Sequence, residues 1–447
     1  MTDLQSTITL IVCVSVILAI AFDVIDMVLA ALLGVSVLIV TGSVTEQDIL
    51  NAVKAGGGSL TLLFGGMVVA RTLRPTGLFD NIGTRFLLFT RGSGRRFLLG
   101  IIALVAPICA FLPNATTVIL VAPIIIGAAV ALETDFVGPL VLTSIISNSA
   151  GLLTLVGDPA TFLVGSSIGL TFMEYLRRVS LGGLLAVLII IPTLPLVMGK
   201  VWHVQRDLPA DLRPKPIERR WLCALSLAVL GVMIALFLFG EDLPTRIVPP
   251  AVAIIAASLA LLVIYGAKVE PIDQVLRDID WKTLVFIFCL FCLVEEFTKT
   301  GILKPMARNL HAWFGVSLLP IALVMLGGVA LASSVLANIP VVAAVVLLTK
   351  GYFVVAELMP EQALGAVYTE WPLTTLPVFV GMMFGGTLGG NATLIGASAN
   401  IVSAGICAAH GRPVNFATFL RYGLPVTVCQ LAVSAVYVVI LYYLIGR

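Results

Sequence analysis

The sequence predicts an all-α, polytopic membrane protein made of two halves with inverted topology, and three observations support this. Of the 447 residues, 60% are hydrophobic and 11% are charged, whereas a soluble domain has about 25% charged residues. Apolar windows of roughly 20 residues, the length of a membrane-spanning helix, recur along the chain. Polar, glycine-rich segments interrupt two of these windows at equivalent positions. The net charge of +2 gives no indication of a nucleic-acid partner.

The first half, residues 1–199, is predicted to contain five crossings and one re-entrant hairpin. The hairpin is placed at about 97–132, because this apolar stretch is too long for one span and Pro113-Asn114 interrupts it. A re-entrant tip at mid-membrane depth has to be protected by protein. Two ordinary short spans joined by a turn are the alternative. The crossings are predicted at 7–22, 24–40, 60–73, the broken helix at about 137–170, and 181–198, with a turn at Asp23 and a polar stretch over 41–58.

A hydrophilic linker, residues 200–220, separates the two halves. It contains six basic residues, three acidic residues and three prolines. If the linker is cytoplasmic, the segments on its side of the membrane hold 17 of the 26 lysines and arginines, as the positive-inside rule expects. We therefore expect a multi-pass protein of the cytoplasmic (inner) membrane, with both termini outside.

The second half, residues 221–447, repeats the pattern. Its hairpin is predicted at about 316–348, with an interruption that contains Asn338 and Pro340. Glu295 and Glu296 follow the third crossing of this half and are expected to face water. The crossings are predicted at 221–240, 247–265, 281–294, the broken helix at about 373–409, and 424–445.

Residue identities relate the two halves. Asn114 matches Asn338 at an offset of 224 residues. Thr154-Leu155-Val156-Gly157 matches Thr393-Leu394-Ile395-Gly396 at an offset of 239 residues. Because each half has an odd number of crossings, the second half enters the membrane from the opposite side. Such an inverted repeat is typical of alternating-access transporters.

The two hairpin tips and the two broken helices are predicted to converge at the membrane midplane, where half-helix ends face a cavity. The polar side chains at these breaks are neutral hydrogen-bonding groups and are predicted to bind substrate. The alternative is that they only hold helices together. They are Asn114, Thr116, Thr117, Ser147, Asn148 and Thr154 in the first half, and Ser333, Ser334, Asn338, Asn391, Thr393, Ser398 and Asn400 in the second.

Asp158 is the one acidic residue within these breaks, and Ala397 occupies the equivalent position of the second half. A lone carboxylate at membrane depth is costly unless it binds a cation or a proton, so Asp158 is predicted to carry the coupling ion or proton. Its place before Pro159 also suits a helix cap, and the two roles are compatible. No cofactor or metal site is predicted, because Cys289 and Cys292 lack further ligands.

These motifs resemble those of the ion transporter superfamily, which includes arsenite–antimonite permeases, the melanosomal P protein, NhaD-type sodium/proton antiporters, and dicarboxylate and citrate carriers. Asn114-Ala115-Thr116-Thr117 is similar to its Ser-Asn-Thr hairpin signature, with Pro113 in place of the serine. Gly157-Asp158-Pro159 resembles the Gly-Asp-Pro-Pro-Asn motif of the arsenite permease and P protein branch, but continues as Ala160-Thr161. Residues 391–405 are the closest match to that branch.

The resemblance implies hairpins that open to opposite sides, a scaffold part, a moving transport part, and commonly a homodimer. It also implies electrochemical coupling. Some arsenite permeases work with a soluble ATPase as well, which would be a separate chain here because the sequence has no phosphate-binding loop.

The leading functional hypothesis is proton-coupled efflux of arsenite or antimonite by alternating access. Arsenite at neutral pH is mostly an uncharged trihydroxide, which suits a cavity of Asn, Ser and Thr without a fixed cation. The alternative is a sodium/proton antiporter or an organic-anion carrier of the dicarboxylate type. An intramembrane enzyme would need facing carboxylates or a Ser–His pair at membrane depth. We expect no enzyme, because His203, His311 and His410 are predicted to lie in loops.

Overall fold

The computed structural model describes residues 3–21, 24–207, 214–364, 368 and 370–445. Within these ranges the secondary structure is helical apart from one isolated β-bridge, so the predicted helical class is confirmed. Eight of the described helices are long and apolar enough to cross a membrane. The predicted turn at Asp23 and part of the linker, including Pro209, Asp211 and Arg213, lie outside the described residues.

The helices before the linker and those after it each include one helical hairpin. The helices of the first half are α1 (Asp3–Ala21), α2 (Met27–Val40), α3 (Glu46–Leu73), α4 (Leu78–Thr90), α5 (Gly94–Cys109), α6 (Asn114–Ala131), α7 (Val137–Ala150), α8 (Pro159–Ser167), α9 (Phe172–Arg178), α10 (Ser180–Leu188), α11 (Ile190–Val197) and α12 (Gly199–Trp202). Those of the second half are α13 (Arg220–Phe239), α14 (Pro249–Ala267), α15 (Ile272–Arg277), α16 (Trp281–Lys299), α17 (Leu303–Phe314), α18 (Leu318–Val335), α19 (Asn338–Val355), α20 (Leu376–Gly389), α21 (Ser398–Ala409) and α22 (Phe416–Ile445). His311 lies within α17, so the expectation of a loop was wrong for this histidine.

The third crossing, α3, begins at Glu46 rather than at residue 60. Thr45 and Asp48 form a capping box at its amino end, so most of the predicted polar stretch over 41–58 belongs to this helix. Gly56 lies against α16, where an added Cβ would come 2.2 Å from the ring of Phe291. Gly56 therefore allows α3 and α16 to pack closely.

The two hairpins are α5–α6 and α18–α19, and each has a short turn. The first turn spans 110–113, and its Pro113 packs on Gly66 of α3, where a Cβ would lie 2.8 Å from the proline ring. The second turn spans 336–337. Asn114 and Asn338 are the first residues of α6 and α19, so each lies at a hairpin tip.

The two interrupted crossings fold alike. Between α7 and α8, a Cβ on Gly157 would lie 2.8 Å from the carbonyl oxygen of Gly151. Between α20 and α21, a Cβ on Gly396 would lie 2.6 Å from the carbonyl oxygen of Gly390. Gly390 lies 239 residues after Gly151, and Gly396 lies 239 residues after Gly157, which is the offset of the sequence repeat. Only glycine permits such close backbone approach, so the repeat extends from sequence to local structure.

Hydrogen bonds between the breaks and the hairpins repeat as well. The Thr154 hydroxyl donates to the carbonyl oxygen of Ala110, and the Thr393 hydroxyl donates to that of Ser334. Each threonine therefore attaches the break of one crossing to the hairpin of its own half. The breaks and hairpin tips meet in the interior of the bundle, and this arrangement positions the site described next.

Candidate functional site

Asp158 is the amino cap of α8 and is buried, with 2% of its surface exposed. Its Oδ2 accepts hydrogen bonds from the backbone nitrogens of Ala160, at 3.1 Å, and Thr161, at 3.3 Å. These are two of the amide groups that have no partner within a helix, and an aspartate cap satisfies them. The local sequence Asp158-Pro159 thus fixes the carboxylate where the first broken crossing resumes.

Three further elements bring side-chain donors to the same carboxylate. The Nδ2 of Asn114, at the first hairpin tip, lies 3.3 Å from Asp158 Oδ1. The Nδ2 of Asn338, at the second hairpin tip, lies 3.5 Å from the same oxygen. The hydroxyl of Thr387, in α20, lies 3.4 Å from Oδ2. One buried carboxylate is therefore contacted by both hairpins and by both interrupted crossings.

A cavity of about 50 Å³ lies next to this carboxylate. Its lining includes no lysine or arginine side chain among the described residues. Leu63 and Met67 of α3 and Ile287 of α16 form an apolar wall. The sequence-predicted residues that line it are Asn114, Thr116, Asn148, Asp158, Asn338 and Ser398.

Four helices begin at residues that line this cavity: α6, α8, α19 and α21. Asp158 caps α8, whereas α6, α19 and α21 have no side-chain hydrogen bond at their amino ends. Helix amino ends carry partial positive charge and free amide donors. The cavity therefore combines the carboxylates of Asp158 and Asp280 with three amino ends that favour oxygen atoms of a solute.

Several predicted residues instead form a buried hydrogen-bond network beside the cavity. The Asn148 amide donates to the side-chain oxygens of Asn391, at 3.0 Å, and Asn400, at 3.1 Å. Asn391 donates in turn to Ser149, at 3.0 Å, and to Gln430 of α22, at 3.0 Å. Of this set only Asn148 also lines the cavity. These contacts fit the alternative given above, in which buried amides hold crossings together.

The remaining predicted residues contact backbone rather than the cavity. The Ser147 hydroxyl donates to the carbonyl oxygen of Asn114, at 3.0 Å, and the Ser333 hydroxyl donates to that of Gly386, at 2.6 Å. Ser334 donates to the preceding turn of its own helix, at 2.7 Å. Thr154 and Thr393 donate to the hairpin tips, as described above. Thr117 is buried and does not line the cavity.

Sequence reasoning missed three residues of this region. Asp280 and Thr283 line the cavity, and Asp280 caps α16 by accepting from the Thr283 nitrogen, at 3.1 Å, and hydroxyl, at 2.6 Å. The Asp-X-X-Thr spacing at the start of a crossing was the available signal. Thr387 lies in a stretch that the sequence singled out, but its reach to Asp158 depends on the packing of α20 against α8.

The expectation that Glu295 and Glu296 face water was wrong for Glu296. This side chain is fully buried and pairs with Lys299 at 3.0 Å. Glu295 is half-buried and accepts a hydrogen bond from Asn51, at 3.2 Å. The reason is that α16 continues to Lys299 and packs along the unpredicted first turns of α3.

Buried polar breaks that converge in a bundle of apolar helices are typical of secondary transporters. Comparison with known proteins identifies the family of this chain. The citrate transporter family model (CitMHS) matches residues 17–369, and the chain therefore belongs to this family. This agrees with the resemblance to the ion transporter superfamily. The names of the family and of its relatives indicate a transporter.

Relatives extend over the whole chain. An uncharacterized transporter of Synechocystis is 41% identical, covering 98% of this chain and 97% of that protein. An uncharacterized transporter of Mycobacterium tuberculosis is 31% identical, covering 99% and 100%. The human P protein is 25% identical over 99% of this chain, which spans only 61% of that protein. The solved structure of the Alcanivorax borkumensis YdaH transporter has a TM-score of 0.47 and 13% identity, covering 88% of this chain and 87% of that one.

Proposed function

We propose that this secondary transporter works by alternating access and couples the movement of a small oxygen-rich solute to protons through Asp158. The observation that carries the proposal is the contact of one buried carboxylate with Asn114 and Asn338, the tips of two different hairpins. An ionised carboxylate accepts several hydrogen bonds, whereas a protonated one becomes a donor at one oxygen. Gain or loss of a proton at Asp158 therefore changes the hydrogen bonds between its carboxyl group and both hairpins.

The first candidate substrate is arsenite or antimonite, exported as the uncharged trihydroxide. Two features support it. The cavity lining includes no lysine or arginine among the described residues to balance an anion. The cavity of about 50 Å³ is also small, which suits a solute with few non-hydrogen atoms better than one the size of citrate.

The second candidate is an organic anion carrier of the dicarboxylate or citrate type. The amino ends of α6, α19 and α21 support it, because uncapped helix amino ends bind carboxylates. The family description points in the same direction. A citrate-sized solute would require the cavity to widen. Sodium/proton antiport remains the further alternative, in which Asp158 would bind the two cations in turn.

Transport by the purified chain in proteoliposomes tests the coupling role. Under an imposed pH gradient, we expect arsenite movement that Asp158→Asn abolishes while the variant still inserts into membranes. Asp135→Asn is the control, because Asp135 is a partly exposed carboxylate paired with Arg412 away from the cavity. Undiminished pH-driven transport by Asp158→Asn would refute the coupling role. If the pH gradient drives transport of citrate but not of arsenite, the second candidate is supported. If a sodium gradient drives proton movement, the antiporter is supported.

We further propose a placement in the cytoplasmic membrane with the linker 200–220 inside and both termini outside. The excess of lysine and arginine on the linker side supports it. A bilayer and a small solute are the partners of any transporter of this class. A homodimer and a separate soluble ATPase are additional proposals drawn from the family resemblance. Reporter fusions to the carboxyl terminus test the orientation, and a reporter active only in the cytoplasm would contradict it.

A further inference from the structure

A second buried carboxylate lies away from the cavity, where α3 and α16 pack together. Glu296 of α16 is 0% exposed, and its Oε1 lies 3.0 Å from Lys299 Nζ. The same ammonium group contacts the carboxylate of Asp48 in α3. The second oxygen of Glu296, Oε2, is buried and has no hydrogen-bond partner among the described residues. A buried carboxylate oxygen without a donor is costly when the group is ionised.

Charge balance identifies which of the two acids is ionised. Asp48 is fully satisfied as an anion: its Oδ2 accepts from the Thr45 nitrogen, at 2.8 Å, and hydroxyl, at 2.6 Å, and its Oδ1 contacts Lys299. The single positive charge of Lys299 is therefore balanced by Asp48. An ionised Glu296 would add a buried negative charge with no cation of its own, which proteins avoid by holding a proton.

Among the residues that the structure describes, Lys299 is the one cation that forms an ion pair with Glu296. The helix α2, which packs on α16, contains no titratable residue within Met27–Val40. Lys350 of α19 lies instead over the ring of Trp371, at 5.6 Å. The other titratable and charged groups that face Glu296 are Asp48 from α3, Cys13 from α1, and Cys292, Glu295 and Lys299 from its own helix.

We propose that Glu296, held beside the Asp48–Lys299 pair, is a proton-binding site separate from the Asp158 cavity. Loss of this proton places an unbalanced charge between α3 and α16 and weakens their packing. Both helices also line the cavity, through Met67 of α3 and Ile287 of α16. The site therefore lets proton concentration act on the wall of the cavity without titrating the carboxylate inside it.

Infrared difference spectroscopy of the full chain in lipid tests this site, because a protonated carboxyl group has a C=O band that shifts in deuterated water. We expect Glu296→Gln to lose one component of this band. Glu295→Gln, the matched control on the neighbouring residue, is expected to keep it, because Glu295 already has Asn51 as a donor. Asp158→Asn removes at most a different component. An unchanged band in Glu296→Gln would overturn the assignment.

A second variant covers the case in which Glu296→Gln does not fold. Asp48→Asn keeps a capping side chain at the start of α3 but removes one of the two carboxylates that contact Lys299, so that Glu296 becomes its single acidic partner. We expect Glu296 to ionise in this variant, so that its band component disappears although the residue is present. Persistence of that component in Asp48→Asn would overturn the charge balance. In thermal unfolding, the wild type is expected to lose stability as the pH rises, and Glu296→Gln to lose this dependence.

Discussion

Replacing Asn114 by alanine tests whether the hairpin tips act on the cavity carboxylate. Its Nδ2 lies 3.3 Å from Asp158 Oδ1, and its own Oδ1 is buried without a partner. A hydrogen bond to a charged group contributes about 1.5–3 kcal/mol at good geometry. Because the bond from Asn114 to Asp158 is long, we assign it about 1 kcal/mol. A solute hydroxyl donating to the free Oδ1 contributes about 1 kcal/mol more. Together they predict a rise in KM of roughly 30-fold.

Asn338→Ala is expected to have a smaller effect, because its Nδ2 lies 3.5 Å from the same oxygen. A loss of about 1 kcal/mol corresponds to a rise in KM of about 5-fold. Since both amides donate to one oxygen, the effects in the double variant are not expected to add. The assay is the initial rate of transport in proteoliposomes at a fixed pH gradient over a range of solute concentrations.

The matched control is Asn51→Ala, which removes an amide donor from Glu295 on the α3–α16 surface and leaves the cavity intact. Its KM is expected to equal that of the wild type. The convergent site is refuted if Asn114→Ala and Asn338→Ala both keep the wild-type KM. It is also refuted if Asn51→Ala raises KM as much as they do, since the effect would then be general destabilisation.

Three other perturbations have defined outcomes. Gly389→Ala would place a Cβ 2.4 Å from the carbonyl oxygen of Ala330, so we expect it to lower the free energy of unfolding by about 1–3 kcal/mol and to lower the melting temperature. Gly405→Ala is the control: its Cβ would have no atom within 4 Å, so its melting temperature is expected to equal that of the wild type. Gln430→Leu leaves buried polar partners unsatisfied at about 1–3 kcal/mol, so thermal stability is expected to fall. Asp280→Asn preserves the helix cap but removes a charge at the cavity, so cation-coupled transport is expected to slow at low salt; an equal defect at high salt would argue against an electrostatic role.

The breaks in the helices followed from local sequence. Asn114 and Asn338 begin the second helix of their hairpins, and Asp158 caps the helix after its break. Proline, glycine and capping residues act within one or two turns, so their effect can be recognised in a single sequence. The relation between the two halves was likewise recognisable, because a repeated local pattern needs no knowledge of tertiary contacts.

The contacts between distant segments could not be predicted in the same way. Glu296 is buried because Lys299 and Asp48 meet across two halves of the chain. Gln430 lies in an apolar helix, and its partner Ser149 is 281 residues away in sequence. Hydropathy describes the average environment of a segment, whereas the burial of one polar side chain depends on the partner that packing brings to it.

The asymmetry between Asp158 and Ala397 gives the repeat its mechanistic meaning. The two positions are equivalent by the 239-residue offset, both line the cavity, and each is the amino cap of the helix after its break. Two carboxylates at these positions would repel each other at membrane depth. With one carboxylate, donors from both hairpin tips approach the same oxygen at 3.3 and 3.5 Å. In the alternating access that we propose, near-symmetric donors around Asp158 would allow related helix ends to hold its carboxylate in either direction of opening.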